Sequence, residues 1–479
     1  MMAGCVVLNV QVLEKDGADL YHIARQADCK AIVFPDIPGN SAHRLLAPQC
    51  RGPHTAHSQP HDLALPQCPS LQKAILIGRG TSGKQSEVGN DVREGSFLES
   101  LLLQNEEEAV FVEHGDCEDC VYIFTTSGTT GYSKLVPRTH AEVLRASRAY
   151  EPTKDLLSYI DRPLGWAGGF PYDFFGFCTP RVVQDAFFGQ QAVLSADVWA
   201  VLERESCDAA ALLPLTLLEI VDHFKGGNPP RRRLKCIITA GQPMKKGVAA
   251  AAGLLTDAIL IAYASTETLT ASVAYITHPS QYHDYMAGRP VSGVEVRVVD
   301  EQMRELEAGT EGFLLIRSPQ TCKSYYKLSP PSPAFTPDGW YVSKDRGKLD
   351  KDGVLWVYCR SGDVTSRGSI LVYHSWPEKI ISKCPDVADV TMVNLKTEHG
   401  DERLVACVMP VKGSSLTESA LNEFYQNCFM NADLGGEFYP TVDHVMFCDV
   451  FPVTANGKVD KRQLAQDALG RFPIPSSTN

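Results

Sequence analysis

The chain has 479 residues, enough for about two to three domains and a sizeable core. Hydrophobic residues make up 44% and charged residues 21%, and a net charge of −12 argues against a nucleic-acid partner or binding to an anionic membrane. No apolar run reaches the roughly eighteen residues of a membrane span. With no secretory signal pattern in residues 1–30 and no peroxisomal ending, a cytoplasmic protein without a transmembrane segment is expected.

The opening, Val6 to Pro35, alternates apolar run, helical stretch and apolar run, a β-α-β pattern. Residues 36–70 are rich in Pro, His and Gln and are expected to be a solvated loop insertion. The strand Lys73–Ile77 then meets Gly78-Arg-Gly-Thr-Ser-Gly-Lys84, which nearly spells a P-loop. Gln85 stands where a metal-binding Ser or Thr is required, so this reads as a surface loop. Fifteen cysteines are scattered without framework spacing, and Cys117-Glu-Asp-Cys120 lacks a second pair or histidines for a zinc site.

The chemistry begins at Tyr122-Ile-Phe124, an apolar run that reads as a buried strand. It leads into Thr125, Thr126, Ser127, Gly128, Thr129, Thr130 and Gly131, followed by Lys134. Glycines let backbone N–H groups turn inward, hydroxyls add donors and the lysine adds a charge: a phosphate cradle. A helix over Arg138 to Ala149 should pack on it. Gly165 to Gly176 is a glycine-aromatic stretch; Cys236 to Met244 is a strand running into a glycine turn; Ile259 to Glu267 is a strand ending in an aromatic and a carboxylate. Gly339 to Gly353 reads as a hairpin with an Asp-Gly turn.

These motifs, in this order, resemble the adenylate-forming superfamily of acyl-CoA synthetases, peptide-synthetase adenylation domains and beetle luciferase. The resemblance implies an α/β fold, with a large N-terminal adenylate-forming domain of layered sheets and helices (1–361) and a small mobile α+β C-terminal domain (362–479). The start looks shortened against the family. The resemblance further implies that the cradle grips the β- and γ-phosphates of ATP, with Ser133 in place of the usual proline loosening the loop. Gly241, Gln242 and Pro243 would lie along adenine and Tyr263 would stack on it, while Thr266 bonds the α-phosphate and Glu267 holds Mg²⁺. Asp345 would grip the ribose, with Ser343 and Lys344 standing in for the family's Thr-Gly, and Arg360 would contact the nucleotide. Gly362 takes the hinge position, and Lys458 of Pro452-Val-Thr-Ala-Asn-Gly-Lys458 would reach the carboxylate and α-phosphate.

For the acid itself, Tyr172, Asp173 and Gly176 would line the pocket, narrowed by Ala262 and Ala264 in place of glycines. The expected activity is that of an AMP-forming acid–thiol ligase using ATP, Mg²⁺ and coenzyme A, or a separate carrier protein, as acceptor. The segment Leu434-Gly-Gly-Glu437 lacks a carrier arm's serine. Two alternatives stay open: an amino-acid-adenylating enzyme in which Asp173 holds the substrate amine, and a non-catalytic relative.

Overall fold

The computed structural model describes residues 5–10, 17–36, 40–51, 60–78, 116–126, 132–146, 156–160, 167–168, 180–183, 195–224, 230–241, 244, 246–367, 370–396, 402–430, 442–453 and 459–473. The chain forms two compact units, the first made of 1–296, 315–342 and 353–355, the second of 297–314, 343–352 and 356–479. The chain passes between the units several times before residue 356, from which it stays in the second.

In the first unit, β2 (Ala31–Asp36), β5 (Lys73–Gly78), β4 (His61–Leu63) and β3 (Cys50–Arg51) form a four-stranded sheet. Helix α1 (Ala18–Ala27) and α2 (Ser41–Leu46) pack on it, with Leu20, Phe34, Leu46, Leu63, Leu65, Cys68 and Leu71 buried together. The expected insertion at 36–70 is therefore corrected: its described parts supply a helix, two strands and core side chains. The leucines outweigh the polar composition, since burying each side chain contributes about 1.5–3 kcal/mol.

A second sheet has β6 (Cys120–Thr126) between β1 (Val7–Leu8), its parallel partner, and β7 (Lys134–Thr139), its antiparallel partner. Thr126 pairs with Lys134, so this hairpin brackets residues 127–133. The expected helix from Arg138 begins later: β7 runs to Thr139, and α3 spans His140–Ala146. Thr139 and Glu142 close a reciprocal capping box, with the Glu142 amide donating to Thr139 Oγ1 and the Thr139 amide to Glu142 Oε2, both at 3.2 Å.

The third sheet of this unit orders β9 (Arg181–Val183), β8 (Ser158–Ile160), β10 (Ala209–Ala211), β11 (Cys236–Ala240) and β12 (Ile259–Ser265) in parallel. Antiparallel β13 (Leu269–Ile276) and β14 (Met286–Pro290) follow. Ile237, Ile259 and Ile261 enter a core with α4 (Ser195–Arg204), α5 (Pro214–Phe224) and α6 (Lys246–Ala252). Cys236, Ile238, Leu260 and Ala262 face the other way into a second cluster. Burial on both faces is what makes parallel strands read as near-continuous apolar runs. Their carboxyl ends lie along one edge, the usual place for ligands in open α/β sheets.

Strands β15 (Glu295–Val299), β16 (Gly312–Arg317), β17 (Tyr341–Leu349) and β18 (Leu355–Arg360) are hydrogen-bonded in sequence order. In the second unit, β19 (Val364–Arg367) and β20 (Ile370–Tyr373) form a hairpin, and β21 (Val387–Lys396), β22 (Glu402–Pro410) and β23 (His444–Phe447) a sheet. Side chains alternate across that sheet. Met392, Leu404, Ala406 and Val408 pack with α7 (Ser375–Ile381) and α8 (Glu418–Met430), while Val393, Leu395, Val405 and Cys407 pack with α9 (Lys461–Arg471). Among the described residues no helix is long and apolar enough to cross a membrane.

Candidate active site

The carboxyl edge of the parallel strands carries several of the expected residues. Ala240 pairs with Ala262, and the next residue on β11, Gly241, has a φ of 83°, a left-handed turn that glycine adopts without the cost a Cβ would impose. On β12 the register against β13 shifts between Tyr263 and Ala264, and such a bulge re-aims side chains at a strand end. Beyond it, Ser265 Oγ accepts from the Thr268 amide at 3.1 Å, closing a turn with Thr266 and Glu267 at its tip.

Glu267 is buried, and its Oε1 accepts a hydrogen bond from the Tyr325 hydroxyl at 2.8 Å. Burial, reinforced by the Glu267 charge, pushes the Tyr325 phenol far above its usual range, so the hydroxyl remains a donor. Lys134 Nζ sits 4.8 Å from the centre of the same ring, within cation–π range. One tyrosine thus connects the cradle's lysine with the strand-end carboxylate.

Behind them lies Arg138, fully buried on β7. Its Nη1 donates to the Gln320 carbonyl at 2.7 Å and lies 3.4 Å from Glu142 Oε2, and its Nη2 donates to the Thr266 carbonyl. Burial raises the Glu142 carboxyl above its ordinary value, with the Arg138 charge opposing. Neither Arg138 nor Tyr325 was anticipated as a site residue. The arginine sits in an apolar strand, a signal that could have found it; the tyrosine lies in an irregular segment with no pattern.

Ser133 also corrects an expectation. It does not loosen the loop's exit: its amide and hydroxyl both donate to the Asp19 carboxylate, at 2.8 and 2.7 Å, and the adjacent Tyr132 stacks on His22 at 4.2 Å. A proline could make neither of the Ser133 bonds. Helix α1 therefore anchors the cradle's far end.

In the second unit, Asp345 is buried and lies 3.4 Å from Arg360 Nε. The Asp345 amide donates to Ser343 Oγ at 3.0 Å, and that hydroxyl donates to the Leu314 carbonyl at 2.9 Å. Lys344 has a φ of 64°, the left-handed conformation glycine would take freely. Its carbonyl accepts from both the amide and the hydroxyl of Ser361 at 2.8 Å. Gly362 is exposed, and a Cβ there would meet no described atom within 4 Å. Ser127, Gly128, Thr129, Thr130, Gly131, Tyr172, Asp173, Gly176, Gln242, Pro243 and Lys458, with the near-P-loop residues 79–85, lie outside the described residues.

Among the described residues no three His, Cys, Asp or Glu side chains converge on one point. Mg²⁺ at a nucleotide site needs no such cluster, because one carboxylate shares the ion with phosphate oxygens and water. Glu267 has the chemistry for it: its carboxylate is buried and held at Oε1 by the Tyr325 hydroxyl.

A layered α/β body with a lysine after the hairpin loop and a buried glutamate at a parallel strand's end fits the resemblance to adenylate-forming enzymes. Comparison with known proteins agrees, and the chain belongs to the AMP-binding enzyme family. Residues 1–326 match the AMP-binding enzyme family and residues 378–458 its AMP-binding enzyme C-terminal domain. The chain is 25% identical over 458 residues to a 2,3-dihydroxybenzoate-AMP ligase of Bacillus subtilis, covering 94% of this chain and 77% of that protein. It is also 25% identical over 431 residues to a medium-chain fatty-acid–CoA ligase of Escherichia coli, covering 87% and 72%. In fold it is similar to ATP-bound MatB from Rhodopseudomonas palustris, with a TM-score of 0.76, 18% identity, and coverage of 98% of this chain and 85% of that one.

Proposed function

We propose that this ligase activates a carboxylic acid as an acyl-adenylate and passes the acyl group to the thiol of coenzyme A. The observation that supports the reading is the meeting of Lys134 and the buried Glu267 carboxylate on one tyrosine, Tyr325.

In the first step a carboxylate oxygen of the substrate attacks the α-phosphorus of ATP. The bond from that phosphorus to the bridging oxygen breaks, and pyrophosphate leaves with the electron pair. Residues Thr126 to Gly131 and Lys134 hold the departing phosphates, where preorganised donors offset the growing charge. Gly241, Gln242, Pro243 and Tyr263 take the adenine, Asp345 and Arg360 the ribose side, and Thr266 the α-phosphate. Glu267 would hold Mg²⁺, which when bound would neutralise charge on the phosphate oxygens. Lys458 stabilises the charge shared by the carboxylate and the α-phosphate. Tyr172, Asp173, Gly176, Ala262 and Ala264 shape the acid pocket, and Gly362 is the hinge between half-reactions. In the second step the thiolate attacks the acyl carbon and AMP leaves.

The test is ATP–pyrophosphate exchange over a panel of fatty, aryl and amino acids, followed by product analysis with coenzyme A. The proposal expects exchange dependent on at least one acid and a thioester with coenzyme A. A preference for amino acids over their deamino analogues would give Asp173 the substrate amine. Folded, ATP-binding protein that exchanges with no acid would refute the reading and leave a non-catalytic relative. An adenylate that forms but does not react with coenzyme A would refute the acceptor and point to a carrier protein.

A further inference from the structure

We propose that Arg138 is a positioning residue: by fixing the Thr266 carbonyl it sets the direction in which Glu267 leaves the backbone toward a nucleotide-bound divalent cation. The inference rests on the adenylation reading and deepens it.

A fully buried arginine is uncommon, because taking its charge out of water is costly unless every partner is in place. Three of its partners come from separate segments: Glu142 on the helix after the cradle hairpin, the Thr266 carbonyl at the end of β12, and the Gln320 carbonyl in the segment before Tyr325. The planar fork of a guanidinium can bridge two carbonyls and a carboxylate at once, whereas a lysine offers a compact point charge.

The position of the Thr266 contact decides what it does. That carbonyl belongs to the peptide joining Thr266 to Glu267, so holding it fixes the plane from which the Glu267 side chain departs. The following carbonyl, that of Glu267 itself, accepts from the Cys322 amide at 2.9 Å, and the carboxylate is held by Tyr325. Gln320, whose carbonyl Arg138 binds, donates through Nε2 to the Thr270 carbonyl at 2.8 Å. Arg138 is therefore the point where the strand leaving the phosphate loop, the β12–β13 turn and the 318–325 segment are tied together. Its effect passes through Glu267.

The experiment measures ATP affinity by calorimetry, with Mg²⁺ and with a chelator, in the parent, in Arg138→Lys, and in the double variant Arg138→Met/Glu142→Met. The double change removes both charges, so no buried carboxylate is stranded. Loss of a group that orients a metal ligand typically weakens metal affinity about tenfold to a hundredfold. The double variant is expected to melt cooperatively and to bind chelated ATP within about threefold of the parent, while the tightening produced by Mg²⁺ falls about tenfold or more. Arg138→Lys should fall between the two, and it carries the test if the double variant does not fold. An unchanged Mg²⁺ effect, or an equal loss with and without the ion, would overturn the proposal and leave Arg138 a purely structural residue. A parent that binds no ATP would overturn the adenylation reading and this proposal with it.

Discussion

Replacing Tyr325 by Phe isolates the bond on which the site's geometry turns. The phenylalanine keeps the ring that packs 5.2 Å from Phe335 and lies beneath Lys134, so only the hydroxyl is lost. That hydroxyl donates to Glu267 at 2.8 Å, with the two residues 5% and 7% exposed, so water does not readily replace it. A hydrogen bond to a charged group contributes about 1.5–3 kcal/mol. At 1.4 kcal/mol per tenfold, opening of this region should become roughly tenfold to a hundredfold more frequent. Hydrogen exchange at the β12 and β13 amides reads this locally, without requiring the two units to unfold together. Tyr325→Leu should cost more, since it also forfeits the cation–π contact, worth about 0.5–1 kcal/mol or more. If exchange in Tyr325→Phe stays within about threefold of the parent, the bond does not hold Glu267 and the reasoning fails.

Glu267→Gln and Lys134→Ala should each slow pyrophosphate exchange by about a hundredfold to a thousandfold, the usual cost of one preorganised electrostatic group; rates within about threefold of the parent would remove these residues from the site. Lys344→Gly should be neutral or stabilising by up to about 1 kcal/mol, as relief of the left-handed conformation competes with a freer unfolded chain, and Lys344→Val should lose about 1–2 kcal/mol in urea unfolding. His374 is sealed against Thr365 Oγ1 at 3.0 Å and Asn394 Oδ1 at 3.2 Å. Burial holds its imidazole below the usual 6.5, with Lys461 pressing the same way and Asp363 and Glu378 opposing. The unfolded chain thus gains the proton first, so this contribution is complete above the usual value and is lost as the pH falls below it. His374→Gln should flatten the decline in the unfolding free energy, measured with urea, between about pH 7 and pH 5, by up to roughly 1.4 kcal/mol per pH unit; an equal decline in parent and variant would contradict this.

Where the sequence alternated sharply between apolar runs and glycine turns, it could be read. β6, β11 and β12 announce themselves because both faces are buried, and the residues at their ends follow from the turns they enter. The misreading of 36–70 has the opposite cause: Pro, His and Gln dominate its composition, while Leu46, Leu63 and Leu65 are too far apart in sequence to register as one core. Ser133 looked like a weakened proline because its partner, Asp19, is 114 residues away. Arg138 and Tyr325 escaped for the same reason, as their significance lies in contacts 128 and 58 residues distant with Thr266 and Glu267. Local patterns disclose strands and turns. The polar ties between segments emerge only once the chain has folded.

The central claim is that a carboxylate oxygen of the substrate bonds to the α-phosphorus of ATP. An acid labelled with heavy oxygen in its carboxylate, turned over with ATP and coenzyme A and analysed by mass spectrometry, tests this directly. The account predicts that one labelled oxygen appears in the phosphate of AMP and none in pyrophosphate. Label in orthophosphate or pyrophosphate, or AMP without label, would contradict it.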